Sequence, residues 1–265
     1  MHGFAYHRPD SLAEAASLAA GIAGARPLAG GMTLLPAMKL RLAQHPALIE
    51  LGAVPGLAGI SADAAQVTIG AMTTHAAVAA SAEIAARLPA LAQLAGGIGD
   101  PAVRHRGTIG GSIANADPAA DYPAAVLGLG ATLVTNAREI AADAFFTGLF
   151  ATALAPGELL TAVRFPVPLA AGYAKFPNPA SRYAVVGVFV ARFADAVRVA
   201  VTGAGPCVFR VPAMETALAR DFSPAALRGI AVPADGLNDD IHAEPAYRAH
   251  LIGVMAARAV AAANG

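Results

Sequence analysis

Two Gly-Gly segments, Ala29-Gly30-Gly31-Met32-Thr33 and Thr108-Ile109-Gly110-Gly111-Ser112, carry the residue types and spacing that point to binding chemistry. Where Cβ atoms are missing, the backbone can come within hydrogen-bond distance of an anion and successive N–H groups can point at it. The hydroxyls of Thr33, Thr108 and Ser112 add donors. Two such loops from distant parts of the chain could clasp a pyrophosphate from both sides. In a chain with 27 glycines the same pairs also suit ordinary tight turns, and the residues alone leave both readings open.

Other candidate chemistry is weaker. Gly97-Ile-Gly-Asp-Pro-Ala102 has the letters of a dinucleotide fingerprint, but it follows a helical pattern rather than a strand, and Pro101 removes an amide donor. Gly128-Leu-Gly130 and Gly203-Ala-Gly205 lack the strand–turn–helix frame, and no GxxxxGK[ST] occurs. Asp117 and Asp121 have the spacing of a paired-carboxylate site, yet Pro118 between them argues against a shared helical face, so no acid/base catalyst is expected. The single cysteine, Cys207, excludes an internal disulfide and an iron–sulfur cluster held by this chain. The histidines show no metal-ligand spacing. Arg104, His105 and Arg106 read either as a solvated loop or as part of the site, and Tyr122, Phe176 and Tyr183 read as core or as stacking platforms.

The composition sets the frame for these loops. Hydrophobic residues make up 56% of the 265 and charged residues 14%, so the core is large and the surface sparsely charged. Lys plus Arg and Asp plus Glu number 18 each, which leaves no basic field for nucleic acid. The apolar stretches Pro123–Thr135 and Leu251–Ala263 are shorter than the ~20 residues of a membrane helix. No charged segment followed by an apolar run opens the chain, and a cytoplasmic location is the default expectation.

The elements that must position the loops are legible in outline. Ser11-Leu-Ala-Glu14 has the form of a capping box ahead of a helix with Leu12, Ala15, Ala16, Leu18 and Ala19 on one face. Ala47–Leu51 and Val67–Ala71 read as strands. Thr74–Ala95 is helical, capped at Thr73 or Thr74 and split in two by Pro89. Gly96–Ser112 reads as a long irregular, functional segment. Further on, Ala124–Leu127 reads as helix, with strands at Thr132–Thr135 and Glu158–Phe165. Alternation in Val185–Phe193 and Val197–Thr202 predicts antiparallel strands. Helices follow near Val211–Arg220, from Ser223-Pro224 and from Pro245 to Ala263. A break at Pro166–Gly172 divides an α+β part, residues 1–172, from a smaller part, residues 173–265, read as a three-stranded antiparallel sheet with helices.

The two loops also carry a resemblance. LAGGMTLLPAMKLRL at Leu28–Leu42 and RGTIGGSIANADPAADYPAAV at Arg106–Val126 are similar to the two FAD-binding segments of the medium flavoprotein subunit of molybdenum hydroxylases, the carbon monoxide, xanthine and aldehyde dehydrogenase type. YHRPDSLAEA at Tyr6–Ala15, IGAMTTHA at Ile69–Ala76, GELLTAVRFP at Gly157–Pro166 and LNDDIHAEPAYRAHL at Leu237–Leu251 fit the family in the same order, covering essentially the whole chain.

The resemblance implies the two-lobed FAD-binding fold of the vanillyl-alcohol-oxidase type followed by a small C-terminal domain. It implies that Ala29, Gly30, Gly31, Met32 and Thr33 wrap one side of the FAD pyrophosphate and Thr108, Ile109, Gly110, Gly111 and Ser112 the other. Asp121 matches an acidic cofactor contact, and Lys175 a lysine near the cofactor that would favour a reduced, anionic flavin. No residue of this chain is then catalytic. The partners implied are a large molybdenum-cofactor subunit and a small [2Fe–2S] subunit, as a dimer of heterotrimers, with electrons leaving through FAD to NAD, a quinone or oxygen. Met32-Thr33 replaces the polar pair of the AGGQS or AGGHS common in the family, and the stretch Phe176–Tyr183 after Lys175 stands where many relatives carry a denser basic cluster and an acidic residue. A bridging subunit that has lost FAD and a stand-alone flavin oxidoreductase are the alternatives.

Overall fold

The computed structural model describes all 265 residues. The chain opens with β1 (Ala5–His7), α1 (Leu12–Gly21), β2 (Arg26–Leu28), α2 (Leu34–Lys39) and β3 (Ala47–Glu50). β1 and β2 both pair in parallel with β3, giving a small three-stranded sheet. Half of the capping box forms: Glu14 N–H donates to Ser11 Oγ, whereas the Glu14 carboxylate accepts from Asp10 N–H, one residue before the cap.

The second lobe runs through β4 (Ile60–Ala62), β5 (Gln66–Gly70), α3 (His75–Ala80), α4 (Ala82–Arg87), α5 (Pro89–Gly96), α6 (Pro101–Arg106), α7 (Ile109–Asn115), α8 (Tyr122–Gly128), β6 (Thr132–Thr135) and β7 (Glu139–Ala141). A short α9 (Ala142–Phe145), the hairpin β8 (Phe146–Gly148) and β9 (Ala151–Thr152), and β10 (Leu160–Pro166) complete it. Its antiparallel sheet has the order β4-β5-β10-β6-β7. Tyr122, Phe145, Phe165 and Leu91 are among the fully buried side chains packed between this sheet and the helices.

Two sequence expectations change here. The Thr74–Ala95 stretch holds three helices, because Ser81 leaves helical geometry and caps α4 with its side chain on Ile84 N–H. The segment read as irregular, Gly96–Ser112, contains α6 and the start of α7. Asp100 caps the first, through Val103 N–H, and Thr108 the second, through Gly111 N–H.

The last part holds β11 (Ala170–Pro177), β12 (Ala184–Arg192), β13 (Val197–Thr202), β14 (Phe209–Arg210), α10 (Pro212–Arg220) and α11 (Pro245–Asn264). The antiparallel sheet follows chain order and has four strands rather than three, with Gly172 inside β11 rather than between units. At Ser223-Pro224 only a single 3₁₀ turn forms. β12 is buried along nearly its whole length, on both faces. Val186, Val188 and Val190 pack toward α11, while Phe189 and Ala191 join the core of the second lobe. A strand covered on both sides needs no polar face, which is why it is a Val-rich run.

Candidate functional site

A cleft of about 980 Å³ runs between the three-stranded sheet, the second lobe and the loop after β11. That is at the upper end of small-molecule pockets, large enough for a dinucleotide-sized ligand. Of the residues singled out in the sequence, Ala29 to Thr33, Thr108, Gly110, Gly111, Ser112 and Asp121 line it; Ile109 and Lys175 do not.

The first glycine segment leaves the C-terminal end of β2 and enters α2, a strand–loop–helix frame whose loop opens where ligands of α/β sheets bind. Gly31 turns the chain at φ 73°, a conformation glycine takes without strain. The N–H groups of Ala29, Gly30, Gly31, Met32 and Thr33 find no acceptor in the protein, although Leu35 N–H returns to Gly31 O and Ala37 N–H to Thr33 O. Five consecutive free donors along a cleft wall form a cradle for an anion. Thr33 stands at the N-cap of α2 without using its side chain to cap it, and its side chain meets the Tyr183 phenol instead.

The second segment differs from expectation. Gly110 and Gly111 lie in the first turn of α7, and their amides are already bonded. Ile109 N–H donates to Thr73 O, Gly110 N–H to Ala71 O at 2.8 Å, and Gly111 N–H to Thr108 Oγ1 at 3.1 Å. These glycines are needed for packing within the protein. A Cβ on Gly110 would lie 2.4 Å from the Ala71 Cβ. Gly30 likewise presses on the other segment: its Cβ would sit 2.1 Å from Arg106 O. The two segments therefore touch, and what the second offers the cleft is the Ser112 side chain and the surface of Gly111. Ile109 is fully buried in the core beneath them.

Asp121 and Lys175 form a pair behind the cleft wall. Lys175 Nζ lies 2.9 Å from an Asp121 carboxylate oxygen and also donates to Gly97 O and Arg182 O. The Tyr173 hydroxyl donates to the same carboxylate. Burial pushes the Asp121 carboxyl upward, while Lys175 and Tyr173 work against that shift. With its donors satisfied by Asp121, Gly97 O and Arg182 O, Lys175 stitches these segments together one residue back from the cleft lining.

Sequence reasoning left Tyr183 open between core and stacking, and gave no site role to several other lining residues. His75, 5% exposed, sits beneath the second segment with its Nδ1 unpartnered; burial pulls its pKa down to about 4, so it is neutral at pH 7. Tyr183 reaches from the loop after β11 to stand beside Thr33 and Asp117, and burial and the Asp117 charge push its phenol upward. Leu154, Ala155, Gly157 and Glu158 form the wall facing α1. No periodic pattern marks such loop residues. Motif matches took in His75 at Ile69–Ala76 and Gly157 and Glu158 at Gly157–Pro166, without giving them a role.

Fold and cleft define a class: an α+β protein that holds a large anionic cofactor between two lobes, with a third unit completing the wall. A model of the family described as the FAD-binding domain in molybdopterin dehydrogenase matches residues 2–168. Over 98% of its length the chain is 35% identical to the carbon monoxide dehydrogenase medium chain of Hydrogenophaga pseudoflava, 96% of which is covered. It is also 35% identical, over the same shares of both chains, to the nicotine 6-hydroxylase medium subunit of Paenarthrobacter nicotinovorans. A solved structure of reconstituted CO dehydrogenase from Oligotropha carboxidovorans superposes with a TM-score of 0.90 at 35% identity, covering 99% of this chain and 98% of that one. The chain belongs to the FAD-binding subunits of the molybdopterin dehydrogenases, a family of oxidoreductases, and FAD is its cofactor.

Proposed function

We propose that the chain is the FAD-carrying medium subunit of a molybdenum hydroxylase complex, working between a [2Fe–2S] subunit and an external acceptor such as NAD, a quinone or oxygen. The observation that carries this is the run of unpartnered amides from Ala29 to Thr33, which can neutralise a pyrophosphate in a cleft whose lining is short of free cations. Bound FAD supplies the redox chemistry, storing electrons that arrive singly and releasing them as a pair. The residues of the chain bind and orient. The Ala29–Thr33 amides take the pyrophosphate, Thr33 and Ser112 add hydroxyl donors, and the Asp121–Lys175–Tyr173 cluster holds the second lobe against β11.

The substrate belongs to the molybdenum subunit in this reading. Two relatives of equal similarity are named for carbon monoxide dehydrogenase and for nicotine 6-hydroxylase. A dimer of heterotrimers in the cytoplasm is the assembly proposed, and no helix of the chain is long and apolar enough to cross a membrane. Purification of the native complex with assay of molybdenum, iron and flavin tests this. Stoichiometric FAD on this chain, with molybdenum and iron on co-purifying chains, is expected. A flavin-free chain that cannot be reconstituted would refute the electron-transfer role and favour a bridging one; turnover by the isolated chain without metals would favour a stand-alone oxidoreductase.

A further inference from the structure

Asp117, Asp121 and Glu158 line the cleft, and of the three only Asp117 has no basic partner. Thr33, Asp117 and Tyr183 stand together on its wall, while Ile22, Leu154 and Leu159 supply apolar lining where Gly157 packs on Ala20. Asp121 is consumed by Tyr173 and Lys175. Asp117 is not. It follows α7, where the chain turns through Ala116 at φ 48°, and its Oδ1 accepts Ala119 N–H at 2.9 Å. Its Oδ2 accepts nothing from the protein, and no cation pairs with it.

The carboxylate is held rigidly. Ala184 N–H donates to Ala119 O at 3.1 Å and Gly203 N–H to Pro118 O at 2.7 Å, while the Thr202 hydroxyl lies 2.6 Å from Ala120 O. A fixed, half-buried carboxylate with one oxygen unsatisfied calls for an N–H or O–H donor and repels an anion. A flavin carries such donors in its ribityl hydroxyls and its ring N–H, and the Tyr183 ring beside Asp117 offers an aromatic surface that suits an isoalloxazine.

Resting on the FAD reading, we infer that Asp117 binds the flavin half of the cofactor by accepting a hydrogen bond from it. The test titrates the apo chain with FAD and with ADP, for wild type, Asp117→Ala and Asp117→Asn. Asp117→Ala is expected to weaken FAD at least tenfold and to leave ADP within twofold of wild type. Asp117→Asn keeps an oxygen for Ala119 N–H, so it decides the matter if the alanine variant fails to fold; it should lose at least threefold for FAD and nothing for ADP.

Two analogues identify the donor. N3-methyl-FAD should bind wild type more weakly and the variants as FAD does if the ring N–H is the donor, and a 2′-deoxyribityl analogue should do so if a hydroxyl is. Equal losses for ADP and FAD, or FAD affinity within twofold of wild type in both variants, would overturn the inference alone. A wild-type chain that binds ADP and not FAD would overturn the cofactor assignment and this inference together.

Discussion

Replacing Gly30 with alanine is expected to separate the two glycine segments and weaken FAD binding by roughly 10- to 100-fold. The added Cβ would stand 2.1 Å from Arg106 O and 2.7 Å from Gly107 Cα, both backbone atoms, whereas ordinary contact begins near 3.4 Å. The segments must therefore part by about 1 Å, which takes a ~2.9 Å hydrogen bond beyond bonding range. A hydrogen bond to a charged group is worth about 1.5–3 kcal/mol net, and each ~1.4 kcal/mol is tenfold in affinity. Losing one pyrophosphate contact gives the stated range.

Gly111→Ala is the comparison. Its Cβ would meet Thr108 Oγ1 at 2.8 Å and the Ala29 Cβ at 3.1 Å, milder overlaps than the backbone clash at Gly30, so a smaller loss, under about tenfold, is expected. Flavin fluorescence quenching on the apo chain measures both, and a thermal melt separates binding from an overpacking cost of about 1–3 kcal/mol. Gly30→Ala binding FAD within threefold of wild type, or Gly111→Ala proving the worse of the two, would refute this reasoning.

Lys175→Met should destabilise the chain by about 3–5 kcal/mol, because it leaves the buried Asp121 carboxylate unpaired; adding Asp121→Asn should recover much of that in denaturant melts. His75 has a folded pKa of about 4 against 6.5 unfolded, so its contribution is full above pH 6.5 and lost as pH falls toward 4. The limiting slope is about 1.4 kcal/mol per pH unit, and His75→Gln should flatten that limb of a stability–pH curve. Glu158 is held down to about 2, chiefly by its hydrogen bond from Arg138, so its contribution is present above pH 4.5 and lost as pH falls toward 2. Glu158→Gln should reduce the acid sensitivity of the melting temperature below pH 4.5, with an effect of order 1 kcal/mol at neutral pH.

Elements with a strong local signature were legible from sequence. The capping box at Ser11 and Glu14, the strand at Ala47 and the Pro245 helix start lie where capping and periodicity put them. Helices α6 and α7 were not legible. Six and seven residues are too few for a period, and two glycines near a helix start argue against helix at ~1 kcal/mol each. Tertiary contacts override that cost: Gly110 is admitted to α7 because only a residue without a side chain fits against Ala71. At the site, the residues alone left both glycine segments open between anion cradle and tight turn. Nothing local reveals that the first leaves its amides without partners while Ala71 and Thr73, far away in sequence, take up N–H groups of the second. Resemblance singled out Asp121 and Lys175 separately, each as a cofactor contact; their pairing with each other, and with Tyr173 and the Gly97 carbonyl, is something only the fold brings together.

The bonds from Ala184, Thr202 and Gly203 to the segment between Asp117 and Asp121 have a consequence for biogenesis. All the residues matched by the family model are synthesised before those anchoring residues. A chain ending there would own both glycine segments but lack the bonds that fix one cleft wall. Such a truncated product is expected to keep the flavin less well than the full chain.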